Sequence, residues 1–385
     1  MRHERQVELL DRVLGHVDSK SNQLAPEESR VPVSNYTSPE RLAEESRVLF
    51  RRYPLAAGHV SELPNPGDFI THDASGVPLV IVRDTQGELR AFLNVCRHRG
   101  TRLVTEPSGR RKAFVCRYHA WSYRLDGSLL HVPMEESFPS VKCEDTALVR
   151  VPLEVHAGFI WVTPTPGATR SIGASLGPFA EDLESFGLST HHAYKKVVNT
   201  PKTHWKIVVE AFLEGYHVRS LHQASISRFF LDTGTIFDSF GSHSRSVGAR
   251  REIHDIRAAP RERWDIRDYA TVFYYFFPNM ILVLHPDWVT HLAIYPSGPD
   301  RATVMHTMLI PKAPTTDEER AHWEKTFNLI EGKVFQQEDL SIAESIQSVI
   351  HAGANTHFRV GRIEHAIRLF HDAIDRALAE HPAPR

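Results

Sequence analysis

Two short strings hold the residues best suited to metal chemistry. One is Cys96-Arg-His98-Arg-Gly100; the other, separated from His98 by 17 residues, is Cys116-Arg-Tyr-His119-Ala-Trp121. Each offers one thiol and one imidazole, and both are metal ligands once the thiol is deprotonated. A structural zinc ion is one use for such a set, although zinc fingers usually place both cysteines in one loop and both histidines in the other. One of each per loop also fits a [2Fe–2S] centre whose irons take two thiolates and two imidazoles. The exchange of anionic for neutral ligands raises the reduction potential. A second candidate is the run from His204 to His222, which contains Glu210, Glu214, His217 and His222. Five helical residues put His217 and His222 about 140° apart. They can face one metal only if the helix ends or bulges between them, as π-type distortions allow. Taken alone, the pair is explained as well by two surface histidines.

A site with two histidines needs a carboxylate from elsewhere to hold iron(II) with open positions. The stretch Val334–His351 reads as a helix offering Glu338, Asp339 and Glu344. Phe335, Asp339, Ile342, Ile346 and Val349 fall on one stripe, spaced 4, 3, 4 and 3 residues apart. A carboxylate within a buried stripe is costly unless it is paired or metal-bound. On the residues alone, Asp339 is therefore either a metal ligand or one half of a buried ion pair with an arginine. Glu338 lies one step off the stripe.

The elements that position these groups change character along the chain. Arg41–Arg51 reads as a helix starting at Ser38-Pro39. From about Tyr53 to Thr163, short β-rich runs such as 78–83, 89–94 and 113–116 alternate with turn signals, and 158–162 closes an all-β unit. Beyond the linker Pro164-Thr-Pro-Gly167, the segments 176–186 and 205–222 suit helices. Residues 269–311 read as consecutive strands, and Thr316 with Glu319 forms a capping box ahead of two further helices at about 334–351 and 361–379. The expectation is an α+β chain in three parts: a helical segment at 1–50, a β domain at 51–165 and a catalytic domain at 166–385. Residues 1–35 carry no pattern with a functional reading.

Composition narrows the classes. Three cysteines exclude a disulfide scaffold and any four-thiolate site, while 24 histidines are an excess. A net charge of −2 gives no basic surplus for nucleic acid. The start of the chain lacks the apolar core of a signal peptide, and the greasiest window, 272–284, is broken by Pro278-Asn279. A soluble cytoplasmic protein is expected, with no membrane or nucleic-acid partner.

The strings CRHRG and CRYHAWSY resemble those of Rieske proteins, specifically the large (alpha) subunits of Rieske non-heme iron oxygenases. Respiratory Rieske proteins carry an extra cysteine pair; only Cys143 is left over here, which suits the oxygenase branch. The acid, His, x4, His pattern of that family falls on Glu214, His217 and His222, with Glu where Asp is usual. Glu210 stands where aromatic dioxygenases usually have Asn. The resemblance implies an N-terminal Rieske domain and a helix-grip (START/Bet v1-like) catalytic domain with an antiparallel sheet. It implies a [2Fe–2S] cluster on Cys96, His98, Cys116 and His119, and a mononuclear Fe(II) on His217, His222 and Asp339. It further implies that Glu214 bridges a cluster histidine of one subunit to an iron histidine of the next, within a head-to-tail homotrimer. O2 would be co-substrate. No GxGxxG unit marks a nicotinamide or flavin site, so electrons from NAD(P)H would arrive through a separate flavin/iron–sulfur reductase or a ferredoxin. The outcome would be monooxygenation, dealkylation or cis-dihydroxylation of an aromatic compound or a quaternary amine. A bare electron carrier and a metal-stabilised binding protein are the non-enzymatic alternatives. Val272–Phe277 and Trp288 are either sheet core or a pocket lining able to form cation–π contacts. His285, His291 and His306 in the same region are either pocket groups or ordinary strand residues.

Overall fold

A computed structural model of the chain describes residues 1–142 and 145–382. Cys143, expected to be an ordinary thiol, lies outside the described residues.

The short alternating runs of the first half form the expected hairpins. A five-stranded antiparallel sheet is ordered Arg150–Val151, Leu89–Leu93, Leu79–Arg83, Asp68–His72, Ser108–Arg110. A three-stranded sheet joins Leu153–His156, Phe159–Val162 and Leu55–His59, and a second, Phe114–Val115, Ser122–Tyr123, Leu129–His131, carries the second Cys-His loop. The second half is built on seven antiparallel strands, ordered His192–Asn199, Arg301–Ile310, Val289–Gly298, Met280–Leu284, Ala270–Phe276, His243–Ala249, Ile236–Phe240. Four of these are the consecutive strands expected between 269 and 311. The Thr316/Glu319 capping box opens the helix Asp317–Phe327.

Three helical expectations need correction. The segment 176–186 is two helices, Ile172–Leu176 and Pro178–Ser185, parted at Gly177, whose φ of 52° favours glycine. The segment 205–222 is not one helix: Trp205–Ala211 stops, and a single turn, Val218–Leu221, follows. Between 328 and 349 the chain is first π-helical, Asn328–Asp339, and only then α-helical, Leu340–Val349.

The largest core cluster joins the N-terminal helices to the seven-stranded sheet, with Leu9, Leu10, Val13, Val48, Leu49 and Phe50 packed among residues such as Trp205, Val272 and Leu292. Inside it, Lys206 and Glu45 are both fully buried and pair at 2.5 Å. Glu45 also accepts from Trp205 Nε1 at 3.2 Å and Arg41 Nε at 2.9 Å. A buried charge without a partner costs several kcal/mol, so this network fixes how helix Pro39–Arg52 meets helix Trp205–Ala211. The β domain docks on the same sheet. His59 Nε2 lies 3.0 Å from Leu188 O, Tyr295 OH donates to Ala56 O, and His72 packs on the Tyr295 ring at 5.1 Å.

His72 and His291 are buried with both ring nitrogens unpartnered. Burial drives their pKa down, to about 4 for His72 and about 3 for His291. The unfolded chain therefore binds protons that the folded one refuses, and stability is lost as pH falls below 6.5. For His72 the loss between pH 7 and pH 5 is about 2 kcal/mol. The expected result is that the melting temperature of His72→Phe falls less than that of the wild type over this range; equal falls would disprove it.

Candidate metal centres

The two Cys-His loops share one backbone design. Cys96 N–H donates to Thr101 O at 2.8 Å and Gly100 N–H to Cys96 O at 3.0 Å; Cys116 N–H donates to Trp121 O at 2.8 Å and Ala120 N–H to Cys116 O at 2.9 Å. In both loops the fourth residue after the cysteine is left-handed, Gly100 at φ 74° and Ala120 at φ 58°. Both thiols point inward and are buried, whereas His98 is half-buried and His119 exposed. The two rings stand 4.7 Å apart, and Trp121 stacks on His98 at 4.8 Å. Burial raises the pKa of Cys96, opposed by Tyr123 OH, which lies 3.4 Å from its sulfur. The four side chains do not close on one point: among the described residues, only His217, His222 and Asp339 bring three ligand atoms within 4.8 Å of one another. A single zinc ion needs that convergence. A thiol pair and a separate imidazole pair suit a two-iron cluster.

His217 and His222 flank the turn Val218–Leu221 as its caps, and this places both rings on one side. Their centroids are 5.0 Å apart. His222 Nε2 is 3.1 Å and His217 Nε2 3.7 Å from Asp339 Oδ1. That oxygen is buried and, among the described residues, has no partner with hydrogen-bond geometry. Two imidazole nitrogens aimed at an orphaned carboxylate oxygen are the donor types that a 2-His-1-carboxylate iron site requires. The far nitrogens are held as well. His217 Nδ1 lies 2.5 Å from Glu214 Oε1, and Glu214 Oε2 accepts from the backbone N–H of Tyr216 and, at 3.1 Å, of His217. His222 Nδ1 lies 2.7 Å from Glu338 Oε2, which also accepts from Ser225 Oγ at 2.6 Å. Burial opposes a proton on His222, but Asp339 and Glu338 outweigh it and raise its pKa.

Asp339 thus reaches the histidines, though not by the route its periodicity indicated. Ile342, Ile346 and Val349 are exposed, so no buried stripe runs through it. Glu338, one step off that stripe, grips the opposite edge of His222. Glu344 accepts from Lys202 N–H instead. Glu210 turns to Tyr36 OH at 2.7 Å and His371 Nε2 at 2.8 Å. The triad opens into a cavity of about 390 Å³. Its apolar lining includes Phe212, Phe230, Phe237, Phe273 and Phe335. Of the aromatic run 273–277, only Phe273 lines it; Tyr274, Tyr275 and Phe276 are buried core. Of the three strand histidines, His285 lines the cavity, while His291 and His306 are buried away from it. Asn22 and Gln23, from the uninterpreted N-terminus, also line it. They are pinned to the start of strand Ile236–Phe240: Thr235 N–H donates to Asn22 Oδ1 at 2.9 Å and Phe237 N–H to Gln23 Oε1 at 3.1 Å.

Comparison with known proteins bears on both halves of the chain. Residues 54–143 match the Rieske [2Fe-2S] domain, and residues 188–380 match the ring hydroxylating alpha subunit (catalytic domain). The chain is 26% identical over 375 residues to the carnitine monooxygenase oxygenase subunit of Escherichia coli K12, covering 89% of this chain and 92% of that one. It is 25% identical to the chloroplastic choline monooxygenase of Spinacia oleracea, covering 92% and 80%. In fold it is similar to a quaternary ammonium Rieske monooxygenase, with TM-score 0.80 at 24% identity over 91% of this chain and 96% of that one. It is also similar in fold to naphthalene 1,2-dioxygenase from Rhodococcus sp., with TM-score 0.76 at 20% identity over 98% and 99%. With a Rieske [2Fe–2S] domain ahead of the matching catalytic domain, the chain belongs to the ring-hydroxylating alpha subunits of the Rieske oxygenases.

Proposed function

We propose that this protein is a terminal oxygenase component, which activates O2 beside His217, His222 and Asp339 and hydroxylates or oxidatively dealkylates a small organic molecule held in the adjoining cavity. The observation that carries the reading is the convergence of two Nε2 atoms on the unpartnered Asp339 oxygen at the edge of an apolar cavity. When bound there, iron(II) supplies open positions for O2, and a cluster on Cys96, Cys116, His98 and His119 supplies electrons one at a time. The rest is the work of the chain. Glu214 and Glu338 accept Nδ1–H from His217 and His222, which fixes the tautomer and turns each Nε2 lone pair inward. The five phenylalanines exclude water and offer ring faces that suit an aromatic substrate by stacking or a quaternary amine by cation–π attraction. Carnitine and choline monooxygenases among the relatives favour the amine, and an anthranilate 1,2-dioxygenase large subunit favours the ring.

Electrons come from a separate reductase, and the working particle is a head-to-tail trimer in which Glu214 links His217 to a cluster histidine of the next copy. Exposed apolar side chains support that assembly: Val115 and Tyr118 lie in and beside the second Cys-His loop, and Tyr216 and Ile342 lie close in sequence to His217 and Asp339.

The purified protein should be red-brown with about three irons per chain, two in the cluster and one at the triad. Colourless protein carrying zinc would end this reading. Glu214→Gln should keep all the iron and lose most turnover with its reductase; full turnover at unchanged iron content would refute the bridge. Glu338→Gln weakens the hold on His222 Nδ1, and the affinity of the triad for Fe(II) should fall roughly 10–100-fold while the cluster spectrum stays unchanged. Unaltered Fe(II) titration would remove Glu338 from this role.

A further inference from the structure

The sheet wall of the cavity is one continuous row. Phe237 pairs with Ser246, Ser246 with Phe273, Phe273 with Val283, and Val283 with Thr290, so that five strands present one residue each to the cavity. The next row on the same face differs. It begins at Gly248, directly across from Thr271. Extending the pairing of Val272 with Leu284 sets His285 across from Thr271.

Three facts about this second row point the same way. Gly248 lies inside a strand, where glycine is unfavourable and usually marks a bulge or a close approach of another group. Neither applies here: its φ is negative, and a Cβ built on it would meet nothing within 4 Å. Its missing side chain is open space in the cavity wall. Beside that space, on the same face of the sheet but covered rather than lining the cavity, Thr271 Oγ1 has no hydrogen-bond partner among the described residues, a state that normally costs about 1–3 kcal/mol. On the far side of Thr271, His285 lines the cavity with Nε2 3.2 Å from Thr290 Oγ1 and its ring stacked on Trp288 at 4.2 Å. Burial, with Arg250 and Arg267 nearby, keeps His285 neutral, its pKa lowered to about 3. Among the described residues, the one lysine or arginine lining the cavity is Arg219, which is exposed and paired with Asp232 at 3.0 Å. Neutral donors with no cation at the wall suit an uncharged acceptor and would leave a carboxylate poorly compensated.

We propose that Gly248, Thr271 and His285 form the recognition end of the substrate site. They would bind an uncharged oxygen function of the substrate, a carbonyl or hydroxyl, while the rest of the molecule extends along the phenylalanine-lined cavity toward the triad. This rests on the cavity being the substrate site. Gly248 sets how long a substrate fits, and Thr271 and His285 set which end group it carries.

The test is calorimetric binding of benzamide, 4-propylbenzamide, benzoate and toluene to the iron-loaded holoenzyme. His285→Phe and Thr271→Val should each weaken benzamide roughly tenfold and leave toluene within about twofold. His285→Gln, which keeps a donor, should recover most of the loss. Thr271→Val should melt no lower than the wild type, because it removes an unpartnered hydroxyl; a residue with a merely structural role would lose stability instead. Gly248→Val should weaken 4-propylbenzamide at least tenfold more than benzamide. Equal losses for benzamide and toluene, unchanged affinities in all variants, or tighter binding of benzoate than of benzamide would overturn the proposal. If neither benzamide nor toluene binds the wild type, or if their binding leaves the spectrum of the ferrous nitrosyl at the triad undisturbed, the cavity is not the substrate site and the reading beneath the proposal falls with it.

Discussion

Two imidazoles five residues apart must deliver one nitrogen each to the same point. A continuous helix forbids this, since it turns them to different faces. The chain resolves the conflict by stopping the helix at Ala211 and allowing only the turn Val218–Leu221 between His217 and His222. Much else follows from that break. It strands backbone N–H groups at Tyr216 and His217, and Glu214 takes both on one carboxylate oxygen while the other holds His217 Nδ1. The helix before the break must not drift, and the buried Lys206–Glu45 pair anchors it to the helix Pro39–Arg52.

The opposing wall meets the same demand differently. Glu338 and Asp339 are neighbours in sequence, yet they grip opposite edges of His222, one at Nδ1 and the other facing Nε2. Both sit at the end of the π-helical stretch Asn328–Asp339, and such wide turns are rare outside functional sites. Backbone hydrogen bonding has been loosened on both sides of the centre, once by a break and once by a wider helix. In each case a carboxylate holds the histidine from behind.

What could be read in the sequence was what is local. Strands between 269 and 311, the Thr316 cap and both Cys-His loops are specified by residues within a few positions of one another, through alternation, turn residues and ligand spacing. The helix break is not local. Phe212 to Tyr216 contains no proline, and its one glycine, Gly215, falls late in the segment, so nothing nearby announces an end at Ala211. Asp339 could be singled out by periodicity, but periodicity does not say what covers a stripe. Ile342, Ile346 and Val349 are exposed in one chain, and the stripe could not have distinguished Asp339 from a surface acid without the resemblance that supported it. Asn22 and Gln23 gave no signal, because they bind backbone groups more than 200 residues away.

The histidine excess has a divided explanation. Four imidazoles lie at the two candidate centres, and those of His217 and His222 turn Nε2 toward the Asp339 oxygen. His72, His291 and His306 are different: they are buried, and they pack against Tyr295, Phe159 and Phe327 respectively. His306 still finds Glu331 at 2.6 Å, while His72 and His291 find no partner for either nitrogen. At His72 and His291 an imidazole serves as a flat ring that fills space between the β domain and the great sheet, and at His306 one between that sheet and the helical segment carrying Phe327 and Phe335. The number of histidines in a sequence therefore measures ligation poorly. What sets His217 and His222 apart is convergence: carboxylates hold their Nδ1 atoms while both Nε2 atoms face one Asp339 oxygen, whereas His306 has a carboxylate on Nδ1 but belongs to no such group among the described residues, and His72 and His291 have neither.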